Sequence, residues 1–393
     1  MRPAFLLKNV RILNPRESFI ADVRIRDGCI QEIDAGLREK SELVLDGEGL
    51  VACPGLINSH DHLQFNLYPR IGRPPYNNAY EWGKDIFTNH TTVVRTIESV
   101  PVRLRYLWGA WKNLFSGVTF VVHHDPASLY FRFLFPVDVL HRYTFAHSIG
   151  NEPQLVQKLD ARKSGTPFVI HLAEGKDDST AREVEQLRNM GGLDERTAAI
   201  HAINLAPSDV DILKQTGASI VWCPSSNMFL FHQTTPIHLL FGRVPVALGT
   251  DSTLTGSTTM FDEMRSAKET SGLTPQEIFS LVTEHPQKMF RLSPDNGTIT
   301  IGGQANLFLV RDKSSDPYQT ILESNPGDIL LLLRNGRPVF HDPDAFPQLK
   351  DDGSNHVLRL NNRVRHIHHR QFFRLYRKLR PYLKHYQYLS SAN

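Results

Sequence analysis

The sequence has few cysteines and lacks any long apolar run. Its three cysteines, Cys29, Cys53 and Cys223, lie far apart and without CxxC spacing, so nothing points to a disulfide framework or a thiolate zinc site. No stretch approaches the roughly 20 apolar residues that cross a bilayer. Residues 1–15 also lack the apolar core of a signal peptide. The expected location is therefore the reducing cytoplasm.

Acidic residues are missing from the C-terminal end. Residues 353–393 contain nine Lys/Arg residues and no Asp or Glu, so the net charge of +3 leaves residues 1–352 at −6. A mildly acidic body does not indicate nucleic-acid binding. Apolar side chains recur three and four positions apart over 363–386, which predicts an amphipathic helix within a basic helical extension, 353–393. We expect it to dock on the main body or on a second subunit; an anionic membrane surface or nucleic acid is the alternative.

Short strands separated by turn signals occupy both ends of the chain. The predicted N-terminal strands are Phe5–Leu13, Ile20–Arg26, Cys29–Ile33 and Glu42–Asp46. The segment 297–341 shows the same pattern of short strands and turns, with Asn335 and Gly336 as a hairpin turn. These patterns predict a small composite β-sandwich built from residues 1–53 and 297–345.

No Gly-rich dinucleotide fingerprint follows the early strands, which argues against an open doubly wound sheet. Instead, residues 54–296 alternate short apolar strands with amphipathic helices, and this pattern predicts an α/β fold, a (β/α)₈ TIM-type barrel. The predicted strands are Leu56–Ser59, Val118–His123, Thr144–Ser148, Phe168–Leu172, Ala198–Ala202, Ser219–Cys223 and Val244–Thr250. The predicted helices fill 92–115, 151–164, 178–190, 207–216, 234–241, 258–271 and 275–284. An eighth strand is needed between His124 and Tyr143, and Phe131–Val139 is the candidate.

Polar residues cluster where these strands end. His60 and His62 close the first barrel strand, and residues two apart on a strand point to the same face, so both imidazoles can reach one ion. His171 lies near the end of a later strand and Asp251 just past the last one, and in such a barrel the strand ends meet at one rim. Three histidines and one carboxylate with room for water are typical of a catalytic metal site. We expect one divalent ion, Zn²⁺ in the first place and Fe²⁺ as the alternative.

Each of these residues also has an ordinary explanation. A His-x-His pair arises by chance in a chain with 18 histidines. His171 or His201 alone is compatible with a core or surface role, and Asp251 with a turn or a helix N-cap. Their joint placement on successive strand ends favours the metal site.

The order and the residues of five sequence motifs resemble those of the amidohydrolase superfamily. They are Pro54–His62 (PGLINSHDH), His171–Glu174 (HLAE), Ala199–Ala202 (AIHA), Cys223–Asn227 (CPSSN) and Leu248–Ser252 (LGTDS). Within that superfamily the sequence looks most similar to the branch of cytosine and guanine deaminases and triazine hydrolases.

The resemblance implies roles for six residues. His60, His62, His171 and Asp251 would be the metal ligands, Glu174 the proton shuttle, and His201 a residue that polarises substrate or orients water. Asp251 would also accept a proton from the attacking water. The binuclear branch needs a lysine at the end of the fourth strand, and Thr144–Gly150 contains none, which favours a single ion.

The sequence is less informative about substrate contacts. The loop 63–91 after the His-x-His strand is long, aromatic and Pro-rich, and is a candidate lid. The candidate substrate contacts are Gln64, Tyr80, Trp82, His147 and Asn227. We expect one of His123, His124 and His147 to line the pocket, and none of the three to bind the metal.

The predicted function is that of a metal-dependent hydrolase acting on carbon–nitrogen bonds. Hydrolytic deamination of a small nitrogen heterocycle, as in an amidohydrolase-type deaminase, is the first expectation. Hydrolysis of an amide or a chloro-heterocycle in the same site is the alternative. A third possibility is a catalytically silent metal-binding relative that acts through its basic tail. The expected partner is a small-molecule substrate, and a homodimer is expected by analogy alone.

Overall fold

The protein is described here from a computed structural model, which covers residues 3–132, 135–349 and 356–391. Its strands fall into a barrel and a second, larger sheet. The first five strands are β1 (Phe5–Leu13), β2 (Ser18–Arg26), β3 (Cys29–Asp34), β4 (Leu43–Asp46) and β5 (Leu50–Pro54). The barrel strands are β6 (Leu56–Asp61), β7 (Val118–His123), β8 (Asp138–Val139), β9 (Thr144–Ser148), β10 (Phe168–Leu172), β11 (Thr197–His201), β12 (Ser219–Trp222) and β13 (Val246–Leu248). The C-terminal strands are β14 (Leu307–Arg311), β15 (Ile329–Arg334), β16 (Arg337–His341), β17 (Val357–Leu360), β18 (Arg363–Ile367) and β19 (Leu389–Ser391).

Helices cover the barrel strands and connect them. They are α1 (Ala79–Asn89), α2 (Thr91–Glu98), α3 (Val102–Leu114), α4 (Leu155–Asp160), α5 (Glu183–Asn189), α6 (Pro207–Thr216), α7 (Pro224–Phe231), α8 (Ile237–Leu240), α9 (Met260–Ser271), α10 (Pro275–Ser280), α11 (Glu284–Met289), α12 (Pro317–Leu322) and α13 (Phe372–Leu379). In the part of the chain that the structure describes, no helix is long and apolar enough to cross a membrane.

The barrel strands are parallel and follow sequence order. Strands β6 to β8 form one hydrogen-bonded group, and β9 to β13 form another. The amide of Asp251, just after β13, donates to the His60 carbonyl oxygen of β6 at 3.1 Å, which brings the last strand back to the first. The predicted (β/α)₈ TIM-type barrel is confirmed, and β8 supplies the eighth strand inside the predicted segment Phe131–Val139.

The strands of both chain ends join one 11-stranded sheet, in which β5 pairs with both β1 and β14. Its inner face buries a core of its own, separate from that of the barrel, with Leu7, Val23, Leu309 and Leu331 among its members. Strand β5 leads through Gly55 into β6, so the sheet is attached directly to the strand that carries His60 and His62. The division into domains at residues 53, 297 and 345 stays a prediction.

Two predicted helices differ from the structure. The helix expected over 92–115 is broken into α2 and α3, because Pro101 lacks the amide that a continuous helix needs. The helix expected over 363–386 is wrong for Arg363–Ile367, which forms β18. Asn361 and Asn362 both adopt a positive φ, 46° and 64°, as a tight hairpin between β17 and β18 requires. Before this turn, the buried residues Leu358 and Leu360 flank the exposed Arg359, the alternation expected of a strand.

Within residues 356–391 the C-terminal segment is therefore only partly helical, in contrast to the basic helical extension predicted for 353–393. Strands β17 to β19 extend the large sheet, and α13 packs against α3 of the barrel. The rings of Phe372 and Trp111 lie 4.4 Å apart, and those of Tyr386 and Trp108 lie 5.3 Å apart. This agrees with docking on the main body, the first expectation for the tail.

Candidate metal centre and active site

Three residues at or shortly after the ends of barrel strands have left-handed backbone geometry. Ala173, His201 and Asp251 have φ values of 52°, 71° and 53°. Residues with a side chain adopt this region at a cost, and such outliers are common where a fold positions functional groups. The sharp turns release the chain from the strands at the carboxyl-end rim of the barrel, where these folds carry their active sites.

The predicted metal ligands converge at this rim. Nε2 of His171 lies 3.4 Å from Nε2 of His62 and 3.4 Å from Nε2 of His60. Nε2 of His60 lies 3.8 Å from Oδ1 of Asp251. All four side chains are buried. Three imidazole nitrogens and a carboxylate oxygen at these separations are a donor set that fits a divalent ion such as zinc.

Hydrogen bonds at the far ring nitrogens orient two of these ligands. Nδ1 of His171 lies 2.7 Å from the His147 carbonyl oxygen, which can only accept, so Nδ1 carries the proton. Nδ1 of His62 lies 3.0 Å from Oδ2 of Asp125, a carboxylate–histidine pair of the type that supports metal ligands. Both bonds leave Nε2 with a lone pair directed at the common centre.

The electrostatic surroundings also suit metal binding. Burial, together with the neighbouring imidazoles, holds the pKa values of His60 and His171 well below their usual range, so both rings are neutral and available as ligands. Burial alone would lower the pKa of His62 as well, but its hydrogen bond and charge interaction with Asp125 outweigh burial and raise that pKa. Asp125 thus adds negative charge directly behind one ligand.

Asp251 is fixed by hydroxyl groups. Its Oδ2 accepts hydrogen bonds from Oγ of Ser226 at 2.9 Å and Oγ1 of Thr255 at 2.7 Å, and its Oδ1 accepts from the Ser252 amide at 2.6 Å. Burial tends to raise the pKa of Asp251, but the nearby histidines and these hydrogen bonds outweigh burial and lower it. The side chain is therefore an ionised carboxylate at neutral pH.

Glu174 and His201 lie next to the ligands. Oε1 of Glu174 is 3.5 Å from Nε2 of His201, and Nδ1 of His201 is 2.8 Å from Oδ1 of Asn227. Since the amide oxygen only accepts, this bond places the His201 proton on Nδ1 in the neutral ring. Burial, assisted by the charge of Asp251, raises the pKa of Glu174 well above its usual range. A carboxyl group with a raised pKa is suited to transferring protons near neutral pH.

A cavity of about 500 Å³ opens above these groups. Its floor includes His62, His171, Glu174, His201 and Asp251. Its walls are mainly aromatic and aliphatic, and they include Phe65, Tyr68, Tyr80, Trp82, Ile86, Phe87, His147, Leu230 and Leu254. Helices α1 and α2 cover it, so the predicted lid region 63–91 does border the cavity. Tyr80, Trp82 and His147 were candidate substrate contacts, and all three line it.

Other candidates lie behind the cavity surface. Gln64 donates a hydrogen bond to Asp125, and Asn227 forms a hydrogen bond with His201. Each of the two therefore supports a residue of the site, and neither lines the cavity among the described residues. The ring of His124 packs 4.1 Å from that of His171, and its Nε2 lies 3.1 Å from the Ala146 carbonyl oxygen. Of the three histidines considered for the pocket wall, the one that lines it is His147.

Asp125 is the site residue that the sequence interpretation missed. It directly follows His123 and His124 at the carboxyl end of a barrel strand, the kind of position that the other site residues also occupy. That placement was the available signal, but nothing in the sequence shows which histidine a carboxylate at the rim will contact.

A (β/α)₈ barrel with three histidines and an aspartate converging at its carboxyl-end rim defines the class of metal-dependent hydrolases. The sequence model of the amidohydrolase family matches residues 146–339. The matched stretch is just under half of the chain and includes His171, Glu174, His201 and Asp251. Together with the donor set at the barrel rim, it supports an enzyme that binds a divalent metal and hydrolyses carbon–nitrogen bonds of a small-molecule substrate.

Two relatives match most of the chain. A 5-methylthioadenosine/S-adenosylhomocysteine deaminase of Pyrococcus furiosus is 25% identical, over 86% of this chain and 95% of the relative. A 5′-deoxyadenosine deaminase of Methanothrix thermoacetophila is 24% identical, over 87% of this chain and 92% of the relative.

Solved structures show the same fold. The zinc-bound atrazine chlorohydrolase of Arthrobacter aurescens superposes with a TM-score of 0.74 at 15% identity, covering 96% of this chain and 100% of that one. A zinc-bound adenosine deaminase of Xanthomonas campestris gives a TM-score of 0.69 at 16% identity, covering 86% and 93%.

Proposed function

We propose that this chain deaminates an adenine-type nitrogen heterocycle by hydrolysis, with one zinc ion held by His60, His62, His171 and Asp251. The observation that carries the proposal is the meeting of these four donors beside Glu174, with His62, His171 and Asp251 on the floor of a single cavity and His60 directly beneath them. The substrate class is supported by the two deaminase relatives, whose names refer to adenosine derivatives.

Zinc and a stoichiometry of one rest on separate arguments. The zinc-bound barrels of the same fold support zinc over iron. The three Nε2 atoms and the carboxylate surround one position, and the absence of lysine from Thr144–Gly150 speaks against the bridging ligand of a binuclear site.

The reaction replaces an exocyclic amino group by oxygen from water and releases ammonia. When bound, the divalent ion lowers the pKa of water towards about 7, which supplies a nucleophile at neutral pH. Of the two water protons, one ends on ammonia and the other on a ring nitrogen. Glu174, whose pKa is raised, carries one proton from water to the ring nitrogen, and Asp251 accepts the second and passes it to the departing amino group, which leaves as ammonia. His201, oriented by Asn227, polarises the ring.

The test uses the full chain reconstituted with zinc. We expect ammonia release from 5′-deoxyadenosine, 5-methylthioadenosine or adenosine, and one zinc ion per chain by metal analysis. Glu174→Gln is expected to retain zinc and lose about 10²- to 10⁴-fold in turnover, the usual contribution of general acid–base catalysis. Glu185→Gln, at an exposed carboxylate of α5, is the matched control and should keep wild-type turnover.

The other outcomes separate the alternatives. Full activity of Glu174→Gln removes this residue from the mechanism, and two tightly held ions overturn the single-ion proposal. Chloride release from a chlorotriazine, or amide hydrolysis without ammonia release from adenosines, establishes the alternative hydrolases. Zinc binding without any turnover, together with a partner captured only through residues 356–391, supports the silent metal-binding relative.

The proposal also covers the cellular compartment and the oligomeric state of the protein. Cys29, Cys53 and Cys223 are free thiols, and the last two are buried, which agrees with a reducing compartment such as the cytoplasm. A homodimer is the assembly we expect, and light scattering of the purified chain tests it.

A further inference from the structure

A buried polar network lies beneath the metal centre. Asp61, the residue between His60 and His62, and Lys112 of α3 are both completely buried. Nζ of Lys112 lies 3.3 Å from Oδ2 of Asp61 and 2.7 Å from Oγ1 of Thr250. Lysine is among the residues that folded proteins bury least, and burial normally requires an oppositely charged partner.

The Asp61 carboxylate is held from several directions. Its Oδ2 accepts a hydrogen bond from Nδ2 of Asn113 at 2.7 Å, in addition to the ion pair with Lys112, and its Oδ1 accepts from Nδ2 of Asn66 at 2.8 Å. Its side chain is therefore tied to α3 and to the loop that follows the His-x-His strand. Because alternate residues of a strand face opposite sides, Asp61 points away from the face shared by His60 and His62.

Thr250 connects the same network to the other ligand strand. Its Oγ1 accepts from Lys112 and from Nδ2 of Asn58 at 2.8 Å, and donates to the Asp251 carbonyl oxygen at 2.8 Å. The Thr250 amide donates to Oδ1 of Asn58 at 3.1 Å. The strand end that carries two histidine ligands and the residue before the aspartate ligand are thus joined through one lysine.

A charge at this position is costly for stability alone, since an apolar pair of similar volume would avoid desolvating two ions. The ion pair does, however, fix the distance between the two strand ends that carry the metal ligands. We propose that Lys112 is a positioning residue for the metal centre, which sets the separation between the His60/His62 strand end and Asp251 through Asp61 and Thr250. This inference rests on the ligand set of the proposed function.

The test measures metal affinity and folding separately. Zinc affinity of the purified full chain is obtained by competition with a chelating dye, and the unfolding midpoint by thermal denaturation of the metal-free protein. Lys112→Met is expected to weaken zinc binding about 10- to 100-fold, the range typical of residues that support metal ligands, and to lower the midpoint.

A second ion pair provides the matched control. Arg24 and Glu42, in the large sheet, are also buried and lie 2.9 Å apart. Arg24→Met should lower the unfolding midpoint but leave zinc affinity unchanged. If Lys112→Met also keeps wild-type zinc affinity, Lys112 is structural only and the inference is overturned.

The double variant Asp61→Asn/Lys112→Met covers the case in which the single variant does not fold. It buries no unpaired charge, so its unfolding midpoint should recover towards the wild-type value while zinc affinity stays lowered. Recovery of wild-type affinity together with the midpoint overturns the inference. Wild-type chain that binds zinc through these ligands but releases no ammonia defeats the proposed reaction and leaves the role of Lys112 intact.

Discussion

The Oδ2 atom of Asp125 lies 3.0 Å from Nδ1 of His62, on the side of the imidazole ring opposite the metal centre. Nδ1 is thereby kept protonated, and Nε2 is kept as the ligand atom. Gln64 donates to the same carboxylate oxygen and so holds it in place. The orientation of one metal ligand therefore depends on a residue that follows a different barrel strand.

Replacement of Asp125 by Asn should weaken zinc binding about 10- to 100-fold, the usual effect of removing a group that orients a metal-bound histidine. The amide can donate as well as accept, so it no longer enforces the proton on Nδ1 of His62. The measurement is zinc competition at constant pH. Asp138→Asn is a suitable control, because Asp138 pairs with Arg334 and has no contact with a predicted ligand. Equal affinities for Asp125→Asn and wild type contradict this role.

The contact between Gly249 and His60 gives a second prediction. A Cβ added at Gly249 would lie 2.6 Å from Cβ and 2.7 Å from the backbone nitrogen of His60. Backbone cannot move away as a flexible side chain can, so Gly249→Ala should push apart the strands that carry His60 and Asp251. We expect loss of tightly bound zinc and of turnover.

Gly242→Ala separates this effect from the general cost of replacing a glycine. Gly242 has a φ of 79°, and no heavy atom lies within 4 Å of an added Cβ in the described part of the chain. That variant should lose about 1 kcal/mol of stability through backbone strain and keep its zinc. Metal analysis and thermal denaturation of both variants decide the matter, and retention of zinc by Gly249→Ala refutes the argument.

The barrel could be predicted from the sequence because each buried strand has a signal of its own. Val118–His123, Thr144–Ser148 and Phe168–Leu172 are short apolar runs bounded by turns, and the structure gives the same bounds. Their carboxyl ends must meet in a closed barrel, so histidines and carboxylates at those ends could be grouped into one candidate site without knowledge of any contact.

Side-chain contacts between distant elements could not be predicted from the sequence pattern. Asp125, Lys112 and Tyr386 each act on the site through a partner more than 50 positions away in sequence, and local periodicity contains no information on such pairs. The error at Arg363–Ile367 has a different cause. Val364 and Ile367 lie three positions apart, a spacing that also fits a helix over so short a segment, and the Asn-Asn turn that indicates a hairpin lies just before it.

Glu263 of α9 predicts a pH dependence of stability. It is completely buried, and its Oε1 accepts a hydrogen bond from the Ser225 amide at 3.0 Å. Burial raises the pKa of Glu263 from 4.5 to about 7. Between about pH 4.5 and about pH 7 the folded state holds a proton that the unfolded state has released, so stability falls as the pH rises through this window.

Glu263→Gln should remove the contribution of Glu263 to this decline, because the amide does not titrate. At about 1.4 kcal/mol per pKa unit, the shift corresponds to about 3 kcal/mol between the two ends of the window. Denaturant unfolding of the metal-free protein at a series of pH values measures it. A wild-type curve and a variant curve that run parallel across the window contradict the raised pKa.

Tyr386, in the basic C-terminal segment 356–391, contacts the loop that follows the metal ligand His62. Its hydroxyl group donates to the Asn66 carbonyl oxygen at 2.6 Å, its ring packs on Trp108, and the Asn66 side chain in turn holds Asp61. Tyr386→Phe leaves a buried carbonyl oxygen without this donor and should cost about 1–3 kcal/mol of unfolding free energy. Tyr382→Phe, at a half-buried neighbour in the same segment, should change stability little.

Removal of residues 384–393 should have a larger effect, because it uncovers Trp108 and deletes β19 from the sheet. We expect a lower unfolding midpoint and weaker zinc binding in the truncated chain, since the loop that follows His62 loses its support. If the tail instead served an anionic membrane surface or nucleic acid, truncation would abolish binding to anionic vesicles or DNA and leave the midpoint and the zinc affinity unchanged. The buried position of Tyr386 favours the first outcome, in which exposed basic side chains such as Lys384 lie on the outer face of a segment whose apolar residues stabilise the barrel.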